Sequence, residues 1–70
     1  SILKSFEEEV REIDGMGFTI EEGIFIPPPI VNDKNIKDGD KVSGKAIINF
    51  NKKKLEWGWK AISIDNVSSL

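Results

Sequence analysis

DGMGFTIEEGIFIPPP, residues 14–29, reads as two short strands joined by a Glu21-Glu22-Gly23 turn and stopped by three prolines. Asp14-Gly15 is the turn dipeptide that opens it, and Met16 to Ile20 and Ile24 to Ile26 are the strands. Its aromatics make the stretch decisive. Alternation puts Phe25 on the side opposite Ile24 and Ile26, so it faces away from any core those isoleucines build. Phe18 shares a side with Met16 and Ile20, and parity leaves core and surface both open for it. Without further information, an aromatic in a small β-rich domain is more often buried.

The same punctuation continues outward. Val10 to Ile13 precede Asp14-Gly15. The polar NDKNIKDGD, residues 32–40, separates the first half from a β-rich run, KVSGKAIINF, residues 41–50. The basic turn NKKK, residues 51–54, leads to a last strand from about Glu56 to Ile64. Turns spaced this way indicate a small all-β barrel or sandwich. In the fourth strand Val42, Gly44, Ala46, Ile48 and Phe50 share one side, which goes inward, and Ile47 is the exception to the alternation. In the last strand Ile62 and Ile64 share a side with Gly58 and Lys60, whereas Trp57 and Trp59 share the other with Ala61. With the isoleucines in the core, both tryptophans point outward; a bulge near Gly58 would reverse this for one of them.

The first segment supports two readings. SFEEEVREI, residues 5–13, offers Ser5 as an N-cap, Glu8 at the capping-box position, and Leu3, Phe6, Val10 and Ile13 at helical spacing. The alternative is a first strand, with Phe6 and Val10 in alternation and Asp14-Gly15 as the turn into the second strand. Three consecutive glutamates favour the short N-terminal helix by propensity. The proline triplet is expected to end a strand or to run along a sheet edge.

Seventy residues make a single domain, residues 1–70, and a domain this small buries only about 60% of the surface its unfolded chain exposes. There is no cysteine and no histidine, which excludes a disulfide framework, the usual zinc ligand sets and Cys/His or Ser/His catalysis within the chain. No apolar run is long enough to cross a bilayer, and SILKSFEEEV has neither the charged start nor the apolar stretch of a signal peptide. We therefore expect a cytoplasmic protein with no membrane partner. The chain starts at Ser1, so a processed product and a piece of a longer protein are both open. The formal charge of −2 hides an asymmetry: residues 1–33 carry two basic against eight acidic residues, and residues 34–70 carry eight lysines against four acids.

Taken in order, GMGFTI, IFIPPPIV, IKDGDKVSGKAI and WGWKAISI resemble the cold-shock domain. Its first nucleic-acid motif runs Lys-Gly-Phe-Gly-Phe-Ile and its second Val-Phe-Val-His-Phe, and its fourth strand opens with Leu-x-x-Gly-x-x-Val. EVREI-DGMGF followed by GDKVSGK looks most like the RNA-binding cold-shock-like domain of the transcription terminator Rho, and an OB-type TRAM domain shares the layout. The resemblance covers residues 10–67 and implies a five-stranded Greek-key OB-type barrel. Gly15, Gly17 and Phe18 match the first motif, and Ile24, Phe25 and Ile26 match the start of the second. In that family the aromatics at the positions of Phe18 and Phe25 stack on bases outside the barrel. Four positions depart from the pattern: Asp14 replaces a basic residue, Met16 replaces the first aromatic, and Pro27-Pro28 replace His-Phe. Each weakens the expected base platform.

A second signal comes from Lys52, Lys53 and Lys54 beside Trp57 and Trp59. Clustered ammonium groups release counterions from a phosphate backbone, and aromatic faces stack on unpaired bases at about 1–3 kcal/mol each. A bare lysine tip would be an ordinary solvated hairpin end that deters edge aggregation; two adjacent tryptophans raise its interest. GDKVSGKA, residues 39–46, is no phosphate-binding loop, because Ala46 stands where a magnesium-holding hydroxyl belongs and a β-rich run comes after it. Asp33, Asn35, Asp38 and Asp40 are a polar connection, since Lys37 falls at a calcium-ligand position. The many carboxylates lack the burial that would tune them for acid-base work.

We therefore expect a binding module and not an enzyme, with no cofactor. Single-stranded RNA or DNA, RNA ahead of DNA, would lie across the second and third strands. Its contacts would be Met16, Phe18, Phe25, Lys52, Lys53, Lys54, Trp57, Trp59 and Lys60, with slight sequence preference because stacking tolerates any base. The alternative is a protein-interaction or accessory OB domain, bound to a protein partner or a covalently linked neighbouring domain.

Overall fold

The computed structural model describes residues 2–69 and contains five strands and one short helix. In chain order these are β1 (Leu3–Ile13), β2 (Met16–Thr19), β3 (Phe25–Ile26), α1 (Pro28–Asp33), β4 (Lys41–Asn51) and β5 (Glu56–Ser68). The strands close into a barrel in the order β1-β2-β3-β5-β4. Every pairing is antiparallel except β3 with β5, where Phe25 lies opposite Lys60. This is the five-stranded OB-type barrel expected from the order of the phrases. Among the described residues no helix is long and apolar enough to cross a membrane.

The first segment is strand, Leu3–Ile13, and among the described residues no helix precedes β2. Phe6 and Val10 are four residues apart, a spacing that suits one helical face and one strand face equally. The long strand prevails because it is paired along its whole length: Leu3 to Glu9 pair with β4, and Val10 to Ile13 pair with β2. Ser5, the candidate N-cap, is a ladder residue opposite Lys45. One strand shared between two neighbours is what closes the barrel.

Alternation then splits the glutamate run. Glu7 and Glu9 face solvent, and Glu8 turns inward with Phe6 and Val10. Its Oε1 accepts the backbone N–H groups of Glu21 and Glu22, each at 3.0 Å, so the carboxylate holds the turn after β2. Glu8→Ala leaves two donors without a partner and should cost about 2 kcal/mol; Glu8→Gln keeps an acceptor oxygen and should recover about half of that. Urea denaturation of the three proteins measures both.

The core is small and aliphatic. Phe6, Val10, Ile24, Ile26, Val31, Ile36, Val42, Ala46, Ala61 and Ile64 make it up, and each larger side chain contributes about 1.5–3 kcal/mol on burial. Gly17 and Thr19 face it from β2, which turns Met16 and Phe18 outward. A methyl on Gly17 would sit 3.1 Å from Ile26 Cβ, so a larger residue at this inward position would have to push its core neighbours back. The prolines do more than stop a strand. Pro28 and Pro29 form the first turn of α1, where a missing N–H costs nothing, and the Pro27 carbonyl accepts from Ile30 and Val31 N–H at 3.0 Å. Helix α1 contributes Val31 to the core. Of the acids after it, Asp40 accepts the Lys37 N–H at 2.8 Å and Asp38 the Glu12 N–H at 2.8 Å.

β5 departs from simple alternation. Ala61 is buried opposite Ala46, Ile62 is skipped and 48% exposed, Ile64 is buried opposite Gly44, and Asp65 is skipped in turn. Each skipped residue is a bulge that reverses the facing of the residues after it. Ile62 is therefore not a core residue, and the bulge lies at Ile62 instead of Gly58. The tryptophans share the side of core-facing Ala61, contrary to the outward side expected for them.

Candidate nucleic-acid interface

β4 pairs with β1 only as far as Ile47, and β5 meets β3 only at Lys60. Beyond those points, Ile48 to Asn51 and Glu56 to Trp59 pair only with each other. They form a two-stranded arm that overruns the barrel, and its two faces differ. Ile47, Asn49, Asn51, Glu56, Gly58 and Lys60 continue the barrel exterior. Ile48, Phe50, Trp57 and Trp59 continue the interior, but past the point where there is a core to cover them. Trp59 is half-buried against the core edge, and Trp57 is 66% exposed. Ile48 and Phe50, expected inside, are exposed for the same reason, and Phe50 packs edge-on against Trp57 with centroids 5.2 Å apart.

The barrel exterior and the arm enclose an open groove of about 430 Å³. Phe18 and Phe25 form its floor, paired across β2 and β3 with ring centroids 5.6 Å apart and planes tilted by 47°. Met16 lines the groove beside them, and Trp57 and Trp59 border it from the arm. Lys53, Lys54 and Lys60 supply its positive charge. Of the nine residues expected at the site, eight line this one groove and Lys52 does not. The turn that presents the lysines is shaped by Asn51, whose Oδ1 accepts the N–H of Lys53 at 3.0 Å and of Lys54 at 3.1 Å. Pro28, at the lost aromatic position of the second motif, belongs to α1 and lies outside the groove.

Sequence reasoning missed Asn49, Asn51 and Glu56, which also line the groove. Parity counted back from Lys60 would have found Glu56. It also missed Lys4, for which the sequence carries no local signal. Barrel closure sets Lys4 opposite Ala46 and carries its ammonium over the Trp59 ring, 4.4 Å from the centroid. That contact is a cation–π interaction of about 0.5–1 kcal/mol at an exposed site. Lys4 also pairs with Glu22, and chiefly this hydrogen bond holds the Glu22 carboxyl below its ordinary value. One face of Trp59 is thus covered by the protein itself; of the other aromatics lining the groove, Phe18 and Phe25 are half-buried and Trp57 is exposed.

Apart from Glu56, the groove holds no acid among the described residues, and several acids of the first half lie elsewhere. Glu7, Glu8, Glu9 and Glu21 gather at a second depression beside Ile20 and Lys41. The charge asymmetry along the chain is therefore an asymmetry in space, with the cationic groove on the arm and the acidic patch around β1 and the turn after β2.

The family model for S1/CSD-like domain 2 of the TOTE conflict systems matches residues 4–64. No curated protein and no solved structure matches the chain.

Proposed function

The chain belongs to the S1/CSD-like domain 2 family of the TOTE conflict systems, a family that generally points to nucleic-acid binding or an accessory role, and on that premise we propose that it binds single-stranded nucleic acid in the groove between barrel and arm. The observation that carries this reading is the meeting of Phe18 and Phe25 with Lys53, Lys54 and Lys60 in one open groove. Bases stack on the phenylalanines and phosphates track the lysines. Met16 extends the apolar surface, Trp57 borders it from the arm, and Lys52 at the turn adds long-range attraction. RNA is the favoured strand, on the likeness of EVREI-DGMGF and GDKVSGK to the cold-shock-like domain of Rho. The module performs no chemistry of its own and works in the cytoplasm.

Titrating pyrimidine octamers while following tryptophan fluorescence tests the proposal, since Trp57 and Trp59 border the groove. Saturable binding at low salt is expected. With three lysines on phosphates, the logarithm of the binding constant should fall against the logarithm of salt with a slope of about −2, and Lys53→Ala/Lys54→Ala should flatten it to about −0.7. No saturable change with micromolar protein at low salt would sink the proposal.

A second reading rests on the other face of the arm. Phe50 and Trp57 are exposed there and pack on each other, a surface suited to a protein partner or a covalently linked neighbouring domain. Binding through that face would change little with salt, because an apolar contact releases no counterions.

A further inference from the structure

We propose that the arm face continuing the barrel interior is a self-association surface, on which a second copy of this chain packs in an antiparallel, twofold arrangement. The inference rests on the second reading above, commits it to one occupant, and does not depend on strand binding. Ile48 and Phe50 on β4 and Trp57 on β5 point to the core side but have no core beneath them. Leu55 joins them at the tip. It is 76% exposed and its backbone has a φ of 56°, a left-handed conformation uncommon for a bulky side chain. A two-stranded ribbon is marginal on its own in water, and large apolar side chains gathered on one exposed face mark a surface that a partner covers. Ile48, Phe50 and Leu55 do not line the groove, so a bound strand leaves them uncovered.

Charge complementarity selects the occupant. Lys52, at the tip, does not line the groove, and among the described residues neither Lys52 nor Glu21 forms an ion pair. At the root of the same face Lys4 lies over Trp59 and pairs with Glu22, which brings the Glu21-Glu22 turn to the edge of the apolar stripe. The stripe therefore has a cationic end and an acidic end within one chain. Its length fits a self-complementary contact. Lys4 lies opposite Ala46, and from Ala46 to Lys52 the strand advances about 20 Å. A twofold axis through the middle of that span lays two stripes antiparallel and sets Lys52 of each copy at the Glu21-Glu22 turn of the other. Such an interface closes at two copies and contains every contact twice. A parallel arrangement would set lysine tip on lysine tip and acidic turn on acidic turn, and repulsion opposes it. Asn49, Glu56 and Lys60 lie on the opposite face of the arm, so both grooves stay open in the dimer.

Sedimentation equilibrium of the chain without nucleic acid, at low salt and from micromolar to submillimolar concentration, tests the inference. The contact is small, so a reversible monomer–dimer equilibrium with a dissociation constant of about 10–100 μM is expected. Phe50→Glu places a charge in the middle of the apolar stripe and should weaken association about a hundredfold. Lys52→Glu and Glu21→Lys should each weaken it about fivefold. The double variant Lys52→Glu/Glu21→Lys restores both pairs with their signs exchanged and should return to within about twofold of the parent. Lys52 and Glu21 are exposed, so these three proteins should melt at the parent's temperature, and the exchange does not depend on how well Phe50→Glu folds. A parent that stays monomeric throughout overturns the inference, leaves the face to a different protein and leaves the groove reading untouched. Association that survives Phe50→Glu places the contact elsewhere and overturns it, as do species larger than a dimer. Failure of the double variant to recover overturns the antiparallel pairing on which the choice of a second copy rests.

Discussion

Phe18→Ala/Phe25→Ala is expected to lower affinity for single strands by two orders of magnitude or more while leaving the barrel folded. Each base stacked on an aromatic contributes about 1–3 kcal/mol, and the two rings are the floor of the groove. Their outward placement protects the fold. Neither belongs to the core, where Ile24, Ile26 and Val10 are fully buried. What the barrel loses is the contact between the rings themselves, about 0.5–1.5 kcal/mol. Because the rings touch, the single substitutions should not sum to the double, and the full cycle is needed. Anisotropy titrations of the four proteins with one pyrimidine octamer, beside urea denaturation of each, measure both sides. Undiminished affinity in the double variant would remove the phenylalanines from the binding surface and move the weight to the Phe50 and Trp57 face.

The largest effect on the fold is expected from Gly44→Ala. Gly44 faces the core opposite Ile64, between the two bulges of β5. A methyl there would overlap the Ser63 carbonyl oxygen and lie 3.1 Å from Ile64 Cα. Both obstacles are backbone, so no side-chain rotation relieves them. The only relief is to part β4 from β5, which breaks the barrel at its longest pairing. A loss of about 3 kcal/mol is expected, at the upper end for overpacking. A domain of this size has only about 4–10 kcal/mol of stability in total, so a large fraction of the molecules would be close to unfolding in mild urea. Gly58→Ala is the control: it lies in the same pair of strands, and an added methyl meets nothing within 4 Å. Its midpoint should stay near the parent's. Equal midpoints for the two variants would contradict the bulged register of β5.

Much of the site was legible because its floor is local. The side of Phe25 is set by Ile24 and Ile26 beside it, and alternation alone shows it. Phe18 was ambiguous by parity, and the bare position of Gly17 against Ile26 resolves it. The tryptophans show the limit of such reading. Alternation ran unbroken from Trp57 to Ile64, whereas the chain skips Ile62 in the ladder. A bulge belongs to a pairing, and nothing in β5 alone marks where it falls. Trp57 is exposed as expected, but because the arm outruns the core and not because it faces the barrel exterior.

The glutamate run makes the same point. Phe6 and Val10 satisfy both periodicities, and local propensity favoured a helix. The strand prevails only because two other strands are present to pair with it, and Glu8 is tolerated inside only because Glu21 and Glu22 bring it two N–H donors.

By itself the sequence determined the barrel class, the β2–β3 pair with its aromatic floor, and the lysine turn. These depend on neighbours in the chain and on turn residues that can be read one at a time. Only the tertiary structure decided that residues 3–13 are strand, that the arm has two unlike faces, and that Lys4 covers Trp59. Each of these depends on how distant strands are registered, and that register is set by barrel closure and by two bulges that leave no mark in the local pattern.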